Sequence, residues 1–175
     1  MNRIFYCLVF FLGLSFYSDS AKADIVSDSG NEFSLKFSYV INSDIDTFEK
    51  KFFAIDQWWD PAHSYSGNKE NLYLDITQGQ CFCEKLNSGG FVRHLDIAHY
   101  EPRKIIRFLG GLGPLQTLPV NGVMEFSFIQ NQSHQIELTV TYLVAGTVQL
   151  KGWATPVNRV IEEQLIRLKS YAEKK

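Results

Sequence analysis

Thr155-Pro156-Val157-Asn158-Arg159-Val160-Ile161-Glu162-Glu163-Gln164-Leu165-Ile166-Arg167-Leu168-Lys169-Ser170-Tyr171-Ala172 is the stretch on which the fold turns. Thr155 is an N-cap residue type, and Pro156 follows it at the first helical position, where a missing N–H costs nothing. Val157, Val160, Ile161, Leu165, Leu168 and Ala172 then recur at helical spacing and form one apolar stripe. Asn158, Arg159, Glu162, Glu163, Arg167 and Lys169 face elsewhere, and Glu163 with Arg167 is an i,i+4 pair in the favourable order. A helix of this length must bury its stripe against a large partner.

The residues before it supply that partner. Phe33, Leu35, Phe37 and Tyr39 alternate with Ser34, Lys36 and Ser38, which predicts a half-buried strand over 32–41. Ser43 or Asp44 then caps a helical segment carrying Ile45, Phe48, Phe52 and Ile55. From Leu72 the period becomes two, with strands predicted over 72–76, 81–86, 91–100, 104–109, 123–129 and 135–144. Asn87-Ser88-Gly89-Gly90, Glu101-Pro102-Arg103 and the polar run 130–134 read as turns. Hairpin-like connections make the sheet antiparallel. The expectation is an α+β chain, with a curved antiparallel sheet of six to seven strands gripping a long C-terminal helix. A cavity should lie between them.

The first 23 residues have the pattern of an export signal. Met1-Asn2-Arg3 is a positive start, Ile4 to Phe16 is almost wholly apolar, and Ala21-Lys22-Ala23 fits a small-x-small cleavage site. The apolar run, about 13 residues, falls short of the roughly 20 needed to span a membrane. This predicts a periplasmic or secreted chain starting at Asp24, with no membrane anchor after cleavage. Residues 24–31 read as a loose leader, and 32–175 as one domain. Removing Arg3, Lys22 and Asp19 from the 17 basic and 19 acidic residues leaves a net charge of −3. That balance argues against a nucleic-acid partner. Of the cysteines, Cys81 and Cys83 would remain. Residues i and i+2 of a strand lie roughly 6.6 Å apart along the chain, so the expectation is two buried thiols rather than a bridge.

Gln57-Trp58-Trp59-Asp60-Pro61-Ala62-His63-Ser64-Tyr65-Ser66-Gly67 sets a large aromatic area beside hydrogen-bonding groups, where Pro61 ends regular helix. Small-molecule pockets are built this way. With Gly79-Gln80-Cys81-Phe82-Cys83-Glu84, Gly89-Gly90-x-Val92-x-His94, Gly110-Gly111-Leu112-Gly113-Pro114-Leu115-Gln116 and Gln164-Leu165-x-Arg167-Leu168, this block makes the chain resemble the START-like, or SRPBCC, superfamily. Its nearest likeness there is to the bacterial branch grouped with the activator of the large heat-shock chaperone ATPase and with polyketide cyclases. The resemblance implies the helix-grip fold and a pocket for hydrophobic small molecules. It implies no single activity, because the superfamily includes carriers, cyclases, receptors and chaperone activators. Export would separate this chain from a cytosolic chaperone. Gly79-Gln80 departs from the Gly-Gly of the related pattern.

The candidate ligand-binding residues are Trp58, Trp59, His63, Tyr65, Phe82, Glu84, His94 and Arg107. Glu84 lies on a strand face with Phe82 and Leu86, where an unpaired carboxylate is costly. A three-residue turn over 88–90 would pair it with His94, and a four-residue turn over 87–90 with Arg93. A Glu84–His94 pair would either move protons, as in a cyclase or hydratase, or orient strands. Ser66-x-x-Lys69 lacks the companion motifs of penicillin-recognising enzymes. Gly110-Gly111-Leu112-Gly113 has no phosphate-loop Lys. His99 has the wrong parity to share a strand face with His94, so without a bulge His94, Asp96, His99 and the cysteines do not converge as metal ligands, and no cofactor is expected. The sequence thus points to an exported binder of a hydrophobic small molecule or lipid. The alternatives are an enzyme using Glu84 and His94, or an envelope protein-interaction module.

Overall fold

A computed structural model describes residues 22–174. Its sheet is antiparallel throughout and has eight strands: β1 (Lys22–Asp28), β2 (Glu32–Ile41), β3 (Leu72–Asp75), β4 (Cys81–Lys85), β5 (Phe91–Glu101), β6 (Ile105–Leu109), β7 (Val120–Gln130) and β8 (Ile136–Gly146). The spatial order is β1-β2-β8-β7-β6-β5-β4-β3. Among the described residues two α-helices, α1 (Ile45–Phe53) and α2 (Ala154–Ala172), and four short 3-10 turns complete the fold. The architecture is α+β, as the patterning predicts, with one strand more than expected.

The additional strand is β1. Asp24 to Asp28, read as a loose leader, pairs with β2 from Asp24↔Lys36 to Asp28↔Phe33. An edge strand needs only a backbone ladder on one side. Ile25 and Val26 stay exposed, so no alternation marks the segment. The predicted export signal falls on residues 1–23 and lies almost entirely outside the described residues.

The inner face is built from the predicted alternation. Phe33, Leu35, Phe37, Tyr39 and Ile41 of β2 are all buried. Asp44 caps α1 by accepting a hydrogen bond from Thr47 N at 2.9 Å. The helix then sets Phe48 and Phe52 against Phe128 and Phe126 of β7, with ring centroids 5.3 and 5.1 Å apart. α2 begins one residue before the predicted cap, at Ala154, with Trp153 in the cap position. It packs against β1, β2 and α1. Ile161, Leu165, Leu168 and Ala172 are buried, whereas Val157 and Val160 nearer its start are only half-buried.

The connection from β6 to β7 is fixed from beneath. Tyr142 of β8 is fully buried. Its hydroxyl donates to Gly110 O at 3.1 Å and accepts from Leu112 N at 2.9 Å. Gly122 lets the two strands approach this closely, since a Cβ there would lie 2.1 Å from Gly110 O and 2.9 Å from the Tyr142 ring. Removing the hydroxyl strands a buried donor and a buried acceptor. Tyr142→Phe should therefore cost about 1–3 kcal/mol in urea unfolding. Unchanged stability would mean that the 110–114 segment is held by other contacts.

Candidate functional site

The site begins with an irregularity in the pairing of β4 and β5. Phe82 faces Leu95, but the next residue, Cys83, faces Arg93, so β5 carries one extra residue, His94. Bulges re-aim side chains, and here His94 and Leu95 are buried in succession. Glu84 sits opposite Val92, so neither turn length considered from the sequence gives the observed register. The Glu84–His94 pair forms nonetheless, because the bulge carries the imidazole across. His94 Nε2 lies 2.9 Å from Glu84 Oε2, with the two side chains 3% and 0% exposed.

Glu84 is a hub rather than half of an isolated pair. Its carboxylate also accepts the backbone N–H of Tyr65 at 3.0 Å and the backbone N–H of Ser66 through a short hydrogen bond. Burial pushes the Glu84 carboxyl up, but the Ser66 side chain, the Tyr65 and Ser66 N–H groups and His94 together outweigh it and hold the group below its ordinary value. An ionised Glu84 accepts hydrogen bonds only, so His94 donates Nε2–H to it and carries its lone pair on Nδ1. Burial lowers the His94 pKa more than Glu84 raises it, so the imidazole is held neutral. Its ring stacks on Phe82 at 4.5 Å between centroids and lies 5.8 Å from the Tyr65 ring.

Beside this hub lies a cavity of about 400 Å³. One wall is the segment from Trp59 to Tyr65, a second is Leu112 to Pro114, and the third is the start of α2 with Trp153. Trp59 Nε1 donates to His63 O at 3.0 Å. Asp60 N donates to Gln164 Oε1 at 2.7 Å, and Arg167 Nε donates to Trp58 O at 2.8 Å. The aromatic block is thus clamped onto α2.

The candidates separate accordingly. Trp59, His63, Tyr65 and His94 line the cavity. Trp58 does not. It is buried in the core and donates Nε1–H to Phe52 O. Phe82 borders a smaller void beneath and reaches the site through its stack on His94 and an edge contact with the Trp59 ring at 4.9 Å. Glu84 stands behind His94, its oxygens taken by protein donors. Arg107 is misassigned. It alternates with buried Ile106 and Phe108, so it points to the other face, where it pairs with Glu125 at 2.6 Å. Trp153, Pro156, Val157, Val160 and Leu112 are lining residues that the candidate set lacks. The signal for Val157 and Val160 was present, since both belong to the apolar stripe of the helix.

Cys81 and Cys83 also depart from expectation, forming a disulfide across Cα atoms 5.5 Å apart. Over these residues β4 is less extended than an ideal strand, whose i to i+2 spacing is roughly 6.6 Å. The Cα separation then falls within the range that a bridge tolerates.

No protein-family model matches the chain, and no curated protein matches it. Solved structures do share the fold. A protein from Rhizobium loti superposes with a TM-score of 0.59 at 16% identity, covering 82% of this chain and 99% of its own. A conserved protein of unknown function from Enterococcus faecalis gives 0.58 at 12%, covering 88% and 77%. A protein from Chromobacterium violaceum gives 0.55 at 13%, covering 81% and 98%. At these identities the likeness concerns the fold.

Two predictions follow from the hub. Glu84→Gln puts an amide where three donors converge, so urea unfolding should show a loss of about 2–4 kcal/mol. Wild-type stability in that variant would remove Glu84 from its bracing role. The second concerns pH. The fold favours neutral His94, so its contribution is complete above the ordinary imidazole value of 6.5 and is lost as pH falls toward the lower folded value. The Glu84 contribution is present above 4.5 and is lost only as pH falls through its own lowered value. Melting temperature should decline first below 6.5, and His94→Gln should flatten that first limb. An undiminished limb would assign it to another group.

Proposed function

We propose that this chain is an exported, START-like binding protein for a hydrophobic small molecule or lipid, held between the sheet and the start of α2. The observation that carries the reading is the cavity of about 400 Å³, walled by Trp59, Leu112, Pro114, Trp153, Val157, Val160 and Ile161. Its size falls within the range of sites that enclose small organic ligands, and its lining has the same mostly apolar character with a few placed polar groups. The disulfide supports an oxidising compartment. The START-like assignment is supported by the order of the sequence blocks and by the sheet-and-helix architecture.

A second reading, an enzyme of cyclase or hydratase type, draws on one observation: a carboxylate-backed imidazole borders the cavity. In that case His94 would be the group meeting the substrate, and Glu84 would position it. Binding is favoured because Glu84 is wholly buried behind His94 and does not line the cavity.

Val160→Phe tests the leading reading, since the new ring fills the cavity from the helix side. Hydrophobic probes that quench Trp59 and Trp153 in the wild type should bind at least about tenfold more weakly to the variant. Its melting temperature should change little. Native mass spectra of protein purified from its own host should carry an added small-molecule mass that Val160→Phe loses. Ligand-free spectra together with no fluorescence response in the wild type would reject the reading.

A further inference from the structure

The polar groups around the cavity are not equally free. Ser64 Oγ donates to Pro61 O at 2.8 Å, and Tyr65 OH donates to Gly113 O at 3.3 Å. His63 Nε2 lies 3.4 Å from Glu163 Oε2. Each of these atoms therefore has a partner within the protein, while His63 Nδ1 and Trp153 Nε1, which have none among the described residues, belong to half-buried side chains that water reaches. His94 is different. Its Nε2–H is committed to Glu84, which leaves Nδ1 as a lone-pair acceptor. Nδ1 has no partner among the described residues, and it is not among the atoms sealed from solvent without one. His94 is only 4% exposed yet lines the cavity, so what reaches that nitrogen is what occupies the cavity.

The charges around it are one-sided. Among the described residues no Lys or Arg lines the cavity. The Glu84 carboxylate stands directly behind the imidazole, and Glu163 stands beside His63. An anionic head group would meet an acceptor lone pair and negative potential, with no cation to compensate its lost hydration.

We propose that the cavity selects a neutral apolar molecule bearing one hydrogen-bond donor, a hydroxyl or an N–H, which it donates to His94 Nδ1. The site discriminates against the carboxylate of the same size. His94 is then the specificity-determining contact, and Glu84 is the positioning residue that fixes its tautomer. The assignment rests on the reading of this cavity as a ligand site. At His94 the opposite preference would require a donating ring nitrogen, and Glu84 takes the only N–H of the neutral ring.

Three probes of one shape separate the possibilities by calorimetry near neutral pH. 2-Naphthol offers a neutral donor, 2-methoxynaphthalene a neutral group without one, and 2-naphthoate an anion. 2-Naphthol should bind at least about tenfold more tightly than either of the others, because a site built to pair a donor rejects analogues that lack it. His94→Phe keeps an aromatic ring over Phe82 but has no acceptor. It should level 2-naphthol with 2-methoxynaphthalene and leave the latter's affinity nearly unchanged. The wild-type ranking decides the proposal even if that variant does not fold. Naphthoate binding as tightly as naphthol, or a folded His94→Phe that keeps the naphthol preference, overturns the assignment and leaves the cavity a ligand site. No binding by any of the three overturns the ligand-site reading and the assignment with it.

Discussion

A buried carboxylate governs the geometry of this molecule. Glu84 is wholly removed from water, and an ionised group in that position is tolerated only when donors surround it. Its donors come from two separate parts of the chain. His94 arrives through a bulge in β5, and the Tyr65 and Ser66 N–H groups arrive from the irregular segment after α1. Satisfying one side chain therefore fixes where that segment meets the sheet. Trp59, six residues upstream of Tyr65, is thereby held at the cavity wall.

The apolar stripe of α2 explains why there is a cavity to wall. Along the second half of the helix the stripe meets the sheet, and Ile161, Leu165, Leu168 and Ala172 are buried. Along the first half it continues through Val157, which packs at the edge of the core, and Val160, and both line the cavity. A helix serving the core alone would turn polar where the core ends. The opposing wall is equally prepared, since Tyr142 pins Gly110 and Leu112 from inside the sheet. The cavity is thus bounded by elements braced independently of any occupant, which lowers the ordering cost of binding.

Most of the fold was legible because its signals are periodic. The alternation in β2, the helical spacing in α2 and the glycine-marked turns each report a burial pattern imposed by one backbone geometry. What was not legible lies where that geometry breaks. β1 left no alternation because an edge strand can be held by its ladder with its apolar residues exposed. The Cys81–Cys83 bridge was set aside on the spacing of an ideal strand, which β4 does not keep at these residues. The bulge in β5 made the Glu84–His94 pair predictable by residue type but not by register. Arg107 was misread as a cavity residue although buried Ile106 and Phe108 flank it. The parity of its strand contained the correction, whereas the lining role of Trp153 depended on loop positions that no period encodes.

The surroundings of His94 bear on whether the site binds or reacts. A proton taken at Nδ1 would make an imidazolium, which Glu84 would stabilise and burial would oppose. The net effect leaves His94 harder to protonate than an ordinary imidazole, so burial is the stronger of the two. A general base at neutral pH gains from a pKa raised toward the working pH, and this environment pushes the other way. Glu84 cannot take the proton onward without surrendering one of its donors. The ring is also held from its face by Phe82, the residue that the Cys81–Cys83 bridge spans. A fixed, neutral and weakly basic acceptor suits recognition of a donor more than removal of its proton.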